Sequence, residues 1–141
     1  MIPGQDYILS KVGAAIGATP YAVAIEAGEH RLIADEPMKL GGQGKGPAPL
    51  DLLLSALGAC TAATLKMYAE HKGWPFEGLD VALQFIRNDQ GDRIERRLRV
   101  KGPLDVAQRT KLADVAERTP VTLVVKNGVP IATELMEETG Q

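Results

Sequence analysis

The stretch Pro49-Leu-Asp-Leu-Leu-Leu-Ser-Ala-Leu-Gly-Ala-Cys-Thr-Ala-Ala-Thr-Leu-Lys-Met-Tyr-Ala-Glu-His-Lys72 decides how this chain must fold. Pro49 suits the first turn of a helix, where its missing N–H would have no partner anyway. Asp51 sets a carboxylate near the positive end of the helix dipole. Gly73 fits the C-terminal cap, and Pro75 lies just beyond it. A helix over 49–72 is about 35 Å long. Its first two-thirds is apolar all round, so burial on every side is expected. Gly58, Ala59, Cys60, Ala62 and Ala63 form a belt of small residues that allows another helix close. The longest uncharged run, Leu52 to Leu65, is shorter than the ~20 residues that span a bilayer. The segment is therefore expected to be buried in protein, not in a membrane.

Before this helix, Tyr7 to Ile16 and Tyr21 to Glu26 read as strands joined at Gly17-Ala-Thr-Pro20, and His30 to Ala34 reads as a third. Glu36 to Ala48 is rich in Gly and Pro and reads as a loop, either mobile or shaped by close backbone contact. After the helix, Leu79 to Arg87 and Ile94 to Lys101 read as strands joined at Asn88-Asp-Gln-Gly91. In the second, Ile94, Arg96, Leu98 and Val100 alternate with Glu95, Arg97, Arg99 and Lys101, which face water. The charged stretch Arg93 to Arg99 reads mainly as a solvated strand face. A second amphipathic helix spans about Asp105 to Glu117, with Val106, Leu112, Val115 and Ala116 on its apolar side, and Pro120 stops it. Val121 to Val125 fits either a strand or a helical turn. Val129 to Met136 reads as a final strand. The order is that of an α+β fold with mainly antiparallel sheets, formed as one domain over residues 1–141. So few strands cannot wrap so long an apolar helix in one copy, so an intertwined homodimer is expected.

The 141 residues are 45% hydrophobic but only 4% aromatic, so the core must be aliphatic. A net charge of -2 with no basic stripe argues against nucleic acid or anionic lipid as partner. The single cysteine excludes an internal disulfide and a thiol-rich zinc site, and suits a reducing cytoplasm. The first residues lack the basic and apolar regions of a secretory signal. His30 and His71 have no metal-ligand spacing, and no metal or cofactor is expected. The Gly41–Gly46 loop lacks the Gly-Lys-Ser/Thr of a phosphate-binding loop.

Together, Asp35-Glu-Pro37, Gly41-Gly42, Gly46-Pro47-Ala-Pro49, Leu52 to Thr61, Met67-Tyr-Ala69, Lys72-Gly-Trp74, Gln108 to Leu112 and Ala116 to Val121 resemble the OsmC/Ohr superfamily. The resemblance runs from about Tyr7 to Leu135. It implies an intertwined homodimer with two sheets around long central helices. It also implies thiol-dependent reduction of organic hydroperoxides. The peroxidatic cysteine of that family stands where Cys60 does, attacks the O–O bond and becomes a sulfenic acid. A second cysteine in a Cys-Pro-Val motif then forms a disulfide with it, while an arginine and a glutamate hold the thiolate and substrate. This chain departs from the pattern. The motif reads Thr119-Pro120-Val121, Leu50 stands ten residues before Cys60 where the glutamate belongs, and no arginine precedes Arg31.

Two readings of Cys60 stand. As a nucleophile it needs a lowered thiol pKa. Its own helix start is about three turns away, and His71 is about 16 Å further along the axis. As a packing residue it is one more small apolar group in the belt. If it reacts, the sulfenate must be resolved by an external thiol reductant. Cys60 and Asp51 are then the candidate catalytic residues, with Asp51 equally explained as helix-terminal charge. Thr61 and Thr64 are candidates to offer hydroxyls to a small-molecule hydroperoxide, although helix threonines commonly bond back to a carbonyl. The alternative is a non-enzymatic dimer that binds an apolar small molecule, with Cys60 structural.

Overall fold

The computed structural model describes residues 1–138. The chain divides into two compact units, Met1–Ser55 and a second that begins at Ala56.

In the first unit, β1 (Val12–Ile16), β2 (Val23–Ala27) and β3 (His30–Ala34) form an antiparallel sheet in that order. Val12 pairs with Ala27 and Ile16 with Val23; Ala27 pairs in turn with His30. The β2–β3 turn needs Gly28, whose φ is +62°. β1 starts at Val12 and not at Tyr7 as expected, because β2 ends at Ala27 and leaves the earlier residues no partner.

The Gly/Pro loop is shaped by backbone contact. Buried Asp35 accepts N–H groups from Glu36 (2.7 Å), Gln43 (3.2 Å) and Lys45 (3.1 Å). Its own N–H donates to Pro47 O at 3.1 Å. A Cβ at Gly42 or Gly46 would overlap the carbonyls of Glu36 or Ile33, so both positions require glycine. Burial pushes the Asp35 carboxyl up, but the three N–H groups outweigh it and leave the pKa below its ordinary value.

The helix α1 (Pro49–Lys72) has the expected bounds. Asp51 accepts the Ala48 N–H at 3.0 Å and so tethers the chain entering the helix. The expectation of burial on every side concerned a homodimer, and a single copy does not test it. One stripe is buried, Leu57, Thr61, Leu65 and Ala69, while Leu53 and Met67 stay exposed. The stripe has a spacing of four, the width that one layer of packed elements covers. By length and hydropathy 49–71 also qualifies as a membrane-crossing helix.

In the second unit, β4 (Gly78–Asn88) and β5 (Gly91–Lys101) form a hairpin, with Asn88 opposite Gly91 and Phe85 opposite Ile94. The helix α2 (Val106–Ala116) opens on a capping box. Asp105 accepts the Gln108 N–H at 2.7 Å, and the Gln108 side chain accepts the Asp105 N–H at 3.0 Å. Leu65 and Ala69 of α1 meet Leu104, Leu112 and Ala116 in the core, with Trp74, Phe76, Leu98 and Val100 packed against it. The ambiguous segment is a helix, α3 (Pro120–Asn127), because Thr119 caps it and Pro120 is preset for its first turn. Val129–Met136 forms no strand, correcting the reading of a final one. No strand of either sheet pairs with it, and Ile131 and Leu135 are 87% and 98% exposed.

Candidate functional site

Thr119, the N-cap of α3, accepts the Thr122 N–H on its hydroxyl at 3.2 Å and the Leu123 N–H on its carbonyl at 3.0 Å. Pro120 has no N–H. Val121 therefore holds the one first-turn donor with no partner in its own helix. That donor, with the hydroxyls of Thr119 and Thr64, lowers the pKa of the Cys60 thiol.

Cys60 is half-buried on α1, next to the buried stripe. Thr64 Oγ1, one turn on, lies 3.8 Å from its Sγ. Of the three groups, Thr64 makes the hydrogen bond to the sulfur. Burial pushes the Cys60 thiol up, but the Val121 N–H, the Thr119 hydroxyl and the Thr64 hydroxyl outweigh it. The thiol pKa therefore lies below its ordinary value. The cause is hydrogen bonding to the anion from Thr64 of the same helix and from Thr119 and Val121 of α3's start, and among the described residues no charged side chain contributes.

Beside this lies a polar network in an otherwise apolar interior. Arg96 of β5 donates from Nη1 to Thr61 Oγ1 (3.0 Å) and Thr122 Oγ1 (2.8 Å), and from Nη2 to Ala116 O (2.8 Å). Thr61 donates to Leu57 O at 2.7 Å, and the Thr119 and Thr122 hydroxyls meet at 2.7 Å. Thr61, Thr119 and Thr122 are all buried, and each hydroxyl is satisfied, as burial demands. A cavity of about 220 Å³ opens beside Arg96, with Leu57, Ile94 and Val125 as apolar walls and Glu117 and Lys126 also lining it. Lys126 donates to the Glu117 carboxylate and holds it below the ordinary range; burial opposes this, and Arg96 adds to the lowering.

Thr64 and Cys60 are thus brought together. Thr61 points inward, its hydroxyl taken up by Leu57 O and Arg96. Asp51 serves the start of α1. The sequence reading missed Arg96, although a signal was present: the alternation of β5 sets it on the same face as Ile94, Leu98 and Val100. An arginine on an inward face must find acceptors, and three are there. The donors from Val121 and Thr119 left no such signal.

Residues 42–134 match the family described as OsmC-like protein. No curated protein sequence matches the chain. Among solved structures, the chain is similar to an OsmC-like protein from Mycoplasma pneumoniae, with 20% identity, a TM-score of 0.72, and 84% of this chain and 88% of that one covered. It is similar to an organic hydroperoxide resistance protein OsmC from Legionella pneumophila (18% identity, TM-score 0.65, coverage 87% and 93%). It is also similar to the organic hydroperoxide resistance protein OhrB of Bacillus subtilis (20% identity, TM-score 0.59, coverage 86% and 93%). At these identities the likeness shows the fold.

Proposed function

We propose, since the chain belongs to the OsmC-like protein family, that it is a cytoplasmic stress-response protein that reduces organic hydroperoxides through Cys60. Proteins of this family are soluble, which supports reading α1 as a helix packed in protein. The observation that carries the reading is Cys60 with Thr64 Oγ1 3.8 Å from its sulfur, its thiol pKa lowered by the Val121 N–H and the Thr119 and Thr64 hydroxyls. The thiolate attacks one peroxide oxygen. The S–O bond forms, the O–O bond breaks, and the departing alkoxide takes up a proton to leave as alcohol. Thr119 stands where the family carries its resolving cysteine, so the sulfenic acid condenses with an external thiol and releases water. A second external thiol then displaces Cys60 as thiol and leaves as disulfide. A second copy of the chain would cover the exposed apolar side of α1 that includes Leu53 and Met67.

A second reading also has an observation behind it. No cation acts on Cys60 directly, and the 220 Å³ cavity has apolar walls, which suits a dimer that binds a small apolar molecule without turnover. The test is the rate at which Cys60 becomes a sulfenic acid with an organic hydroperoxide, trapped and read by intact mass beside a free thiol at the same pH. A rate orders of magnitude above the free thiol supports the reductase. A rate at or below it removes that reading and leaves the binding protein.

A further inference from the structure

We propose that the cavity beside Arg96 binds a small monocarboxylate with a hydrocarbon tail, its carboxylate held by the guanidinium. This adds an anionic head to the apolar ligand of the second reading. It rests on the cavity alone. Cys60 is not among the lining residues, so the site stands whether or not the chain turns over hydroperoxide.

The charges lining the cavity carry the argument. They are Arg96, Glu117 and Lys126. Glu117 and Lys126 pair with each other. Arg96 is half-buried, and its three hydrogen bonds go to neutral acceptors: the hydroxyls of Thr61 and Thr122 and the carbonyl of Ala116. Among the described residues no carboxylate forms an ion pair with it. Glu117 feels its charge at longer range but is committed to Lys126. A cation drawn out of water in this way favours a partner of opposite charge.

The donors of Arg96 are not exhausted either. A guanidinium has five N–H groups, and three are used here. The Nε–H and one Nη2–H remain, and among the described residues no acceptor takes them. No side-chain nitrogen closed off from solvent lacks a partner, so Nε is open to solvent. A carboxylate in the cavity can accept these donors.

The walls select among anions. Leu57, Ile94 and Val125 favour a hydrocarbon tail over a hydrated ion. Two cations and one carboxylate give the lining a net charge of +1, which matches a monoanion. A doubly charged phosphate would exceed that charge and also face Glu117. The 220 Å³ equals the share of about seven waters in the liquid, which suits a short-chain acid.

The test is titration of the ¹⁵N-labelled full chain, in its native assembly at neutral pH, with hexanoate, hexanol, acetate and inorganic phosphate. Binding is read from the amides of Ile94, Thr122 and Val125. Hexanoate should shift them saturably. Hexanol keeps the tail and acetate keeps the head, and each should bind at least about tenfold more weakly. Phosphate should also bind more weakly. Arg96→Met should bring hexanoate down to the level of hexanol. Glu117→Gln combined with Lys126→Met leaves Arg96 as the sole lining charge, and the preference for hexanoate over hexanol should remain. Hexanol binding as tightly as hexanoate, phosphate binding more tightly, or no saturable shift overturns the proposal. So does a folded Arg96→Met that keeps the preference. Should Arg96→Met not fold, the double variant decides: a retained preference supports Arg96 as the anion holder, and a lost one overturns it by assigning the anion to Lys126. The titration involves no peroxide. A chain inert to hydroperoxide that prefers hexanoate loses the reductase reading and keeps this site, and a reactive chain with no such preference does the reverse.

Discussion

Replacing Arg96 by methionine removes three charge-assisted hydrogen bonds, to Thr61, Thr122 and Ala116 O. Taken singly, such bonds contribute about 1.5–3 kcal/mol each, so a simple sum would predict a loss of about 4.5–9 kcal/mol. The structure argues for much less. Thr61 still donates to Leu57 O, Thr122 keeps Thr119 and Ala116 O, and Ala116 O keeps Thr122. No buried polar group is orphaned, so the penalty of about 1–3 kcal/mol per unsatisfied group does not arise. Methionine also avoids the desolvation of a half-buried guanidinium, and it can pack against Leu57 and Ile94, which line the same cavity. The expected net loss is about 1–2 kcal/mol, or roughly 3–8 °C in Tm for a chain of this size. Urea denaturation at one fixed protein concentration measures it, because association makes apparent stability depend on concentration. A double-mutant cycle with Thr122→Val should show a coupling of about 0.5–1.5 kcal/mol, since the two side chains share a bond. A loss above about 4 kcal/mol would mean that the guanidinium supports more than its three acceptors. Strictly additive losses would refute the network as a unit.

The glycine loop and the core allow three further predictions. Gly46→Ala drives a Cβ into the Ile33 carbonyl, which cannot yield as a flexible side chain would. It should cost about 1–3 kcal/mol and raise the rate of proteolysis within 36–46. Asp35 has a depressed carboxyl pKa, so its stabilising effect is present above the unfolded value of ~3.9 and lost as pH falls through the folded one. Amide exchange at Gln43 and Lys45, measured down the pH scale and corrected for intrinsic rates, should show protection persisting to below about pH 4 and then falling; Asp35→Asn should weaken it already at neutral pH. Leu65→Ala opens a cavity at a fully buried core position. It should cost about 2.7–5 kcal/mol in the same urea assay.

The elements with local causes could be read from the sequence. Pro49, Asp51 and Gly73 mark the ends of α1 in the chemistry of their own positions. The alternation of β5 shows which of its residues face inward. Thr119 and Pro120 carry the cap and first turn of α3, although the β-branched run after them also suits a strand. Val129–Met136 shows the limit of that kind of reading. Its residues favour an extended chain, but a strand exists only where another strand offers hydrogen bonds, and among the described residues of the chain none does.

Cys60 is the clearest case of what only the tertiary structure decided. Nothing within its helix except Thr64 serves the sulfur, and a reading confined to α1 leaves a nucleophile and a packing residue equally open. The other donors come from Thr119 and Val121, 59 and 61 residues further along. The cation behind them is on a strand between the two helices in sequence. Local sequence sets where a helix begins, and therefore that α3 leaves a first-turn N–H unpaired. Which group that N–H acts on depends on how segments far apart in the chain pack, and in this fold it lowers the pKa of the Cys60 thiol.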